Sequence, residues 1–81
     1  MPAVDVKSAI PGTFYRSPAP GEPPFVAEGE RVSADTVIGN IELMKQFNEV
    51  FAGVDGILTS FMIADAEAVD SDAVLAIISP D

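Results

Sequence analysis

The 81-residue chain sets thirteen acidic residues against four basic ones, for a net charge of −9, and 48% of its residues are hydrophobic. That is enough for one small core and too little to enclose a deep active site. The scattered cations Lys7, Arg16, Arg31 and Lys45 cannot build the basic face that nucleic acid or an anionic membrane requires. With no cysteine and no histidine, thiol nucleophiles, disulfides, imidazole bases and most zinc sites fall away. The composition reads as a chain that is acted upon.

In chain order, "MPAVDVKSAI" at the start lacks the basic flank and long apolar stretch of a secretory signal. No later run approaches the roughly 20 apolar residues that span a bilayer, and a cytoplasmic setting is expected. "TFYR" at 13–16 is the first strand signal, followed by the proline-rich "SPAPGEPP" at 17–24. "TVIGNIEL" at 36–43 and "QFNEVFA" at 46–52 are strand-like runs meeting at a turn around 43–46. "GILTSFMI" at 56–63 and "AVLAIIS" at 73–79 complete the set. Overlapping them, "IADAEAVDSDAVLAII" at 63–78 is the strongest helix candidate because Ala and Glu favour helix, but its "DSD" reads as a turn, so short strand, turn, strand is expected there. The phenylalanines Phe14, Phe25, Phe47, Phe51 and Phe61 read mostly as core, with Phe47 the most open to question because it lies close to the turn.

The chain also repeats itself. Residues 30–41, "ERVSADTVIGNI", align without gaps on 67–78, "EAVDSDAVLAII", with identities at Glu30/Glu67, Val32/Val69, Asp35/Asp72, Val37/Val74 and Ile41/Ile78. Upstream, "GTFY" at 12–15 corresponds to "GILT" at 56–59. From Gly12 to Glu30 is 18 positions and from Gly56 to Glu67 is 11, so the first half holds seven extra residues, assigned to "SPAPGEPP". Two similar halves of short strands imply two small sheets packed face to face with quasi-twofold symmetry. Lys45 then occupies the hairpin that joins the halves, where a tight turn pushes its side chain into water.

Three stretches, "PGTFYRSPAPGEPPFVAEGERV" at 11–32, "IELMKQFNEV" at 41–50 and "VDGIL" at 54–58, resemble the biotinyl/lipoyl carrier family. The likeness is strongest to biotin carboxyl carrier domains of the acetyl-CoA carboxylase type. In that family the acceptor lysine sits in a Glu-Ala-Met-Lys-Met hairpin. Glu42, Met44, Lys45, Asn48 and Glu49 match the pattern, while Leu43 replaces its Ala and Gln46 its second Met. The resemblance implies one domain over 1–81, with its core from about residue 5 to 79. Its fold would be an all-β flattened barrel or sandwich of two four-stranded antiparallel sheets (a barrel-sandwich hybrid). A thumb-like insertion would be formed by Ser17, Pro18, Ala19, Pro20, Gly21, Glu22, Pro23 and Pro24.

The same resemblance implies that a biotin protein ligase attaches biotin to Lys45, recognising Met44 and Gln46. A biotin carboxylase would then load a carboxyl group and a carboxyltransferase would unload it, in cytoplasm or plastid stroma. The domain would itself be no enzyme.

Other features have plainer readings. Asp65, Glu67, Asp70 and Asp72 lack the glycine and terminal glutamate of a calcium loop, so no metal is expected. Gly12, Gly29, Gly53 and Gly56 read as turn or close-approach positions. Glu42 and Glu49 read as solvated or loosely paired with Arg31 or Lys7. Leu43 and Gln46 keep open an unmodified interaction module with the same barrel. A lipoyl carrier is a third reading, opposed by Met44, because lipoyl carriers place Asp before the lysine.

Overall fold

A computed structural model describes residues 2–81. It contains β-strands and no helix: β1 (Val4–Lys7), β2 (Gly12–Tyr15), β3 (Arg31–Val32), β4 (Val37–Leu43), β5 (Gln46–Phe51), β6 (Gly56–Phe61), β7 (Glu67–Val69) and β8 (Val74–Pro80). They form two four-stranded sheets, ordered β1-β8-β6-β3 and β5-β4-β2-β7, with every pairing antiparallel. Advancing each strand of the first order by four places, cyclically, produces the second. The expected quasi-twofold sandwich is therefore present, flattened to 36 × 26 × 20 Å.

Each repeat identity has a physical reason. Glu30 and Glu67 do the same work at equivalent places. Their side chains accept the backbone N–H of Ala27 (3.0 Å) and Ala64 (2.8 Å), closing the turn into β3 and β7. Residues just before them bond across in the same way, Gly29 N–H to the Leu58 carbonyl and Ala66 N–H to the Phe14 carbonyl, both at 2.7 Å. Gly12 and Gly56 are equivalent too. A β-carbon on Gly12 would overlap the Glu42 carbonyl oxygen, and one on Gly56 the Ser79 carbonyl oxygen. Both glycines are thus required for strand approach, β2 to β4 and β6 to β8.

The core follows the same twofold plan. Phe14, Ile38, Leu58, Leu75 and Ile78 are 0% exposed and Ile41 only 2%. The repeat pairs Phe14 with Leu58, Ile38 with Leu75 and Ile41 with Ile78, so both sheets contribute equivalent side chains to the interior. Each such side chain stabilises the fold by about 1.5–3 kcal/mol through removal from water. Ile38 and Leu75 are also the extra residues where the β4–β5 and β1–β8 registers shift, which turns both inward.

One expectation fails here. Phe47 and Phe51 are not core: they are 60% and 48% exposed. β5 is an edge strand paired only with β4, and its register there sends Val50 inward and the two phenylalanines outward. Of the two readings of Glu42 and Glu49, solvated or loosely paired, pairing with Arg31 is absent and Glu49 is exposed. Arg31 pairs with Asp81 at 2.7 Å, both side chains well exposed, an arrangement that contributes little.

Candidate functional site

The β4–β5 ladder runs in register from Glu42↔Phe47 to Leu43↔Gln46, leaving Met44 and Lys45 as a two-residue loop. Their φ angles are 53° and 66°. Positive φ at both positions is the signature of the type I′ turn, whose twist matches that of the flanking strands. Such turns ordinarily use Asn and Gly. Here two long side chains occupy the left-handed region, a strained choice of the kind found where function fixes the residues. Met44 is 88% exposed. Lys45 and Gln46 are exposed beside it, and the one ion pair among the described residues is the remote Arg31–Asp81 contact. A single primary amine therefore stands in water at the end of a paired hairpin.

Residues 17–24 lie in the connection between β2 and β3, with Pro18 to Pro24 exposed. Its neck is tied. Phe25 N–H bonds the Arg16 carbonyl at 2.9 Å, Arg16 N–H bonds Asp65 Oδ1 at 2.7 Å, and Arg16 Nη2 donates to the Ile63 carbonyl at 2.6 Å. The guanidinium also lies 4.5 Å above the Phe61 ring. Beyond the neck the hydrogen bonds are internal, Glu22 N–H to the Ala19 carbonyl and Ser17 Oγ to the same oxygen. Four prolines remove the donors that strand pairing would need.

Ser17, Pro18, Ala19 and Pro20 face Tyr15, Glu42, Phe47, Asp65 and Ala66 across a hollow of about 590 Å³. Gly21, Glu22, Pro23 and Pro24 do not line it. Tyr15 Oη donates to Glu42 Oε1 at 3.3 Å, and its ring lies 6.2 Å from that of Phe47. Partial burial, then the Glu42 charge and hydrogen bond, then Asp65, push the Tyr15 phenol above its ordinary pKa. Glu42 and Phe47 are the ladder pair directly below Leu43↔Gln46, so the hollow opens one step from the lysine turn. Tyr15, Phe47 and Asp65 carry no motif in the sequence. The register of β2, β4 and β5 brings Tyr15 and Phe47 together, and Asp65 joins them from the β6–β7 connection, where it accepts the Arg16 N–H.

Fold and site together define a class: a small β-sandwich with internal symmetry that presents one lysine at the hairpin joining its halves. The chain belongs to the biotin/lipoyl attachment family, whose model, described as "Biotin-requiring enzyme", matches residues 4–78. It is 45% identical over 75 residues to the chloroplastic biotin carboxyl carrier protein of acetyl-CoA carboxylase from Glycine max, covering 93% of this chain and 29% of that one. It is 40% identical over 77 residues to the biotin carboxyl carrier protein of acetyl-CoA carboxylase from Nostoc sp., covering 95% of this chain and 42% of that one. The chain thus spans less than half the length of these relatives. Among solved structures, the Kluyveromyces lactis urea carboxylase shares the fold, with a TM-score of 0.81 at 24% identity over 98% of this chain and 6% of that one.

Proposed function

We propose that this domain is a biotin carboxyl carrier and that Lys45 is its acceptor. The observation that carries the reading is the exposed amine of Lys45 at the tip of a type I′ turn, with Met44 exposed beside it. The site fits the group. A biotin protein ligase needs an unobstructed amine to form an amide with the biotin carboxyl group, and the tether so formed needs open space around its root. Once attached, biotin supplies the ureido nitrogen that accepts and gives up a carboxyl group.

The chain's own residues do the rest by placement. The paired β4–β5 ladder holds the tether's root on a stiff base. The arm that starts there raises the local concentration of its far end at two separate catalytic sites. Those sites belong to a biotin carboxylase and a carboxyltransferase, by analogy with the acetyl-CoA carboxylase relatives, and the domain contributes no catalytic group. Residues 17–24 act as a thumb. Ser17, Pro18, Ala19 and Pro20 form one wall of the hollow beside the lysine turn, where they restrain the tethered ring between transfers.

Lys45→Arg tests the central assignment. It keeps the charge and the turn but removes the acylatable amine. Labelling by streptavidin probes after exposure to ligase should vanish, with circular dichroism and Tm unchanged. Persistent labelling of that variant overturns it.

A further inference from the structure

The four edge strands of the sandwich are not alike. β3 has two residues, β7 three and β1 four, whereas β5 runs for six. Exposed edges are commonly blunted by short length, lysine or proline, and β5 has none of these. The internal symmetry supplies a control. Opposite the equivalent residues of β8 and β4, Asp5 occupies the place of Glu49 and Lys7 the place of Phe51. Two positions earlier, Ala3 stands where Phe47 does. The fold therefore requires no phenylalanine at either place, yet β5 displays two, both substantially exposed.

The backbone of β5 is available as well. In a two-residue hairpin the flanking pair, Leu43 and Gln46, is hydrogen-bonded, and such pairs alternate along the ladder. The Ala52 N–H to Thr36 carbonyl bond of 2.9 Å fixes the same phase at the far end. Phe47, Glu49 and Phe51 thus aim their N–H and C=O groups away from β4. Alongside them lies a hollow of about 180 Å³ between β5 and the β1–β2 connection, lined by Lys7, Ala9, Ile10, Ile41 and the β5 residues Asn48 to Phe51.

The geometry points to β5 as a docking edge for an extended segment of another protein, added antiparallel as a fifth strand of that sheet. The segment's chemistry follows from the edge. On the outer face it carries apolar side chains against Phe47 and Phe51 and a lysine or arginine against Glu49. On the inner face it offers an aliphatic side chain that fills the hollow. A second copy of this chain is disfavoured. Self-pairing in the register that sets Phe47 against Phe51 also sets Glu49 against Glu49, and like charges directly opposite destabilise a sheet. Each copy also brings a net charge of −9. A partner docked at β5 lies next to the Lys45 turn, so the edge would orient whatever acts there, and this holds whether or not Lys45 is the modified residue.

The heptapeptide Lys-Val-Leu-Lys-Leu-Val-Lys is a direct probe, with the glutamate-for-lysine version as its control. On titration into the isotope-labelled domain, the cationic peptide should slow hydrogen exchange at the amides of Phe47, Glu49 and Phe51, and the acidic one should not. Glu49→Lys should weaken the cationic peptide by about fivefold, the upper range for an exposed cross-strand charge pair, and should admit the acidic one. Phe47→Ala with Phe51→Lys converts the edge to the β1 pattern. It should abolish binding while leaving Tm near the parent value. Protection at some other edge, indifference to the charge swap, or concentration-dependent self-association through β5 overturns the proposal.

Discussion

Replacing Met44 by asparagine should make the domain more stable and a worse ligase substrate, and the size of both effects follows from the turn. Met44 sits at φ 53°, a region that costs an ordinary L-residue about 1–2 kcal/mol and that asparagine tolerates. The side chain is 88% exposed, so the substitution sacrifices at most about 0.5 kcal/mol of apolar contact. The net gain is at least about 0.5 kcal/mol, which for a chain of this size raises Tm by roughly 2–4 °C or more. Differential scanning calorimetry measures that directly. Met44 is also the most exposed large apolar side chain beside the acceptor amine, and its loss should slow initial biotinylation at limiting substrate severalfold. The two readouts move in opposite directions, as expected where a strained residue is kept for recognition. A fall in Tm would refute the strain argument, and an unchanged biotinylation rate would refute the recognition argument.

Gln46→Met should accelerate biotinylation by a heterologous ligase, since an amide buried at that contact needs partners that a thioether does not. Stability should change by no more than about 0.5 kcal/mol, and equal initial rates for the two forms would rule this out. Replacing residues 17–24 by a short Gly-containing turn should leave a folded, biotinylated domain with a looser tethered ring, visible as sharper ring signals by NMR, and slower coupled carboxyl transfer. Parent-like mobility and turnover would reduce the thumb to a surface insertion. Tyr15 is the sole tyrosine and there is no tryptophan, so its absorbance titration is clean. It should lie above that of free tyrosine, and Glu42→Gln should lower it. Because the folded pKa is the raised one, the associated stability is complete below the unfolded pKa. It is lost as pH rises through the folded value, so Tyr15→Phe should flatten the alkaline fall in Tm.

Much of the sandwich was legible because its determinants are local or repeated. Glu30 and Glu67 recur because each closes the same turn. Gly12 and Gly56 recur because each passes close to a neighbouring strand's carbonyl. β1 was not legible. "VDVK" offers two apolar residues between charges, and it becomes a strand only by pairing with β8. The two residues of β3 are too few to show a period.

Phe47 and Phe51 misled for a related reason. A phenylalanine-rich alternation signals a half-buried strand, but which of its two faces turns inward is set by register with the neighbouring strand. Here the register turns Val50 inward and both phenylalanines outward. The turn around Lys45 was readable from its flanking strands and the repeat junction. The hollow was not, because Tyr15, Glu42, Phe47 and Asp65 meet only once the sheet and the β6–β7 connection are assembled.

Peptide mapping by mass spectrometry, after incubation of the chain with biotin protein ligase, biotin and ATP, tests the central claim most directly. A single biotinyl group on Lys45, with Lys7 unmodified, is the predicted result. Biotin on Lys7, a chain left unmodified by its own ligase, or a lipoyl group on Lys45 in the source organism would contradict it.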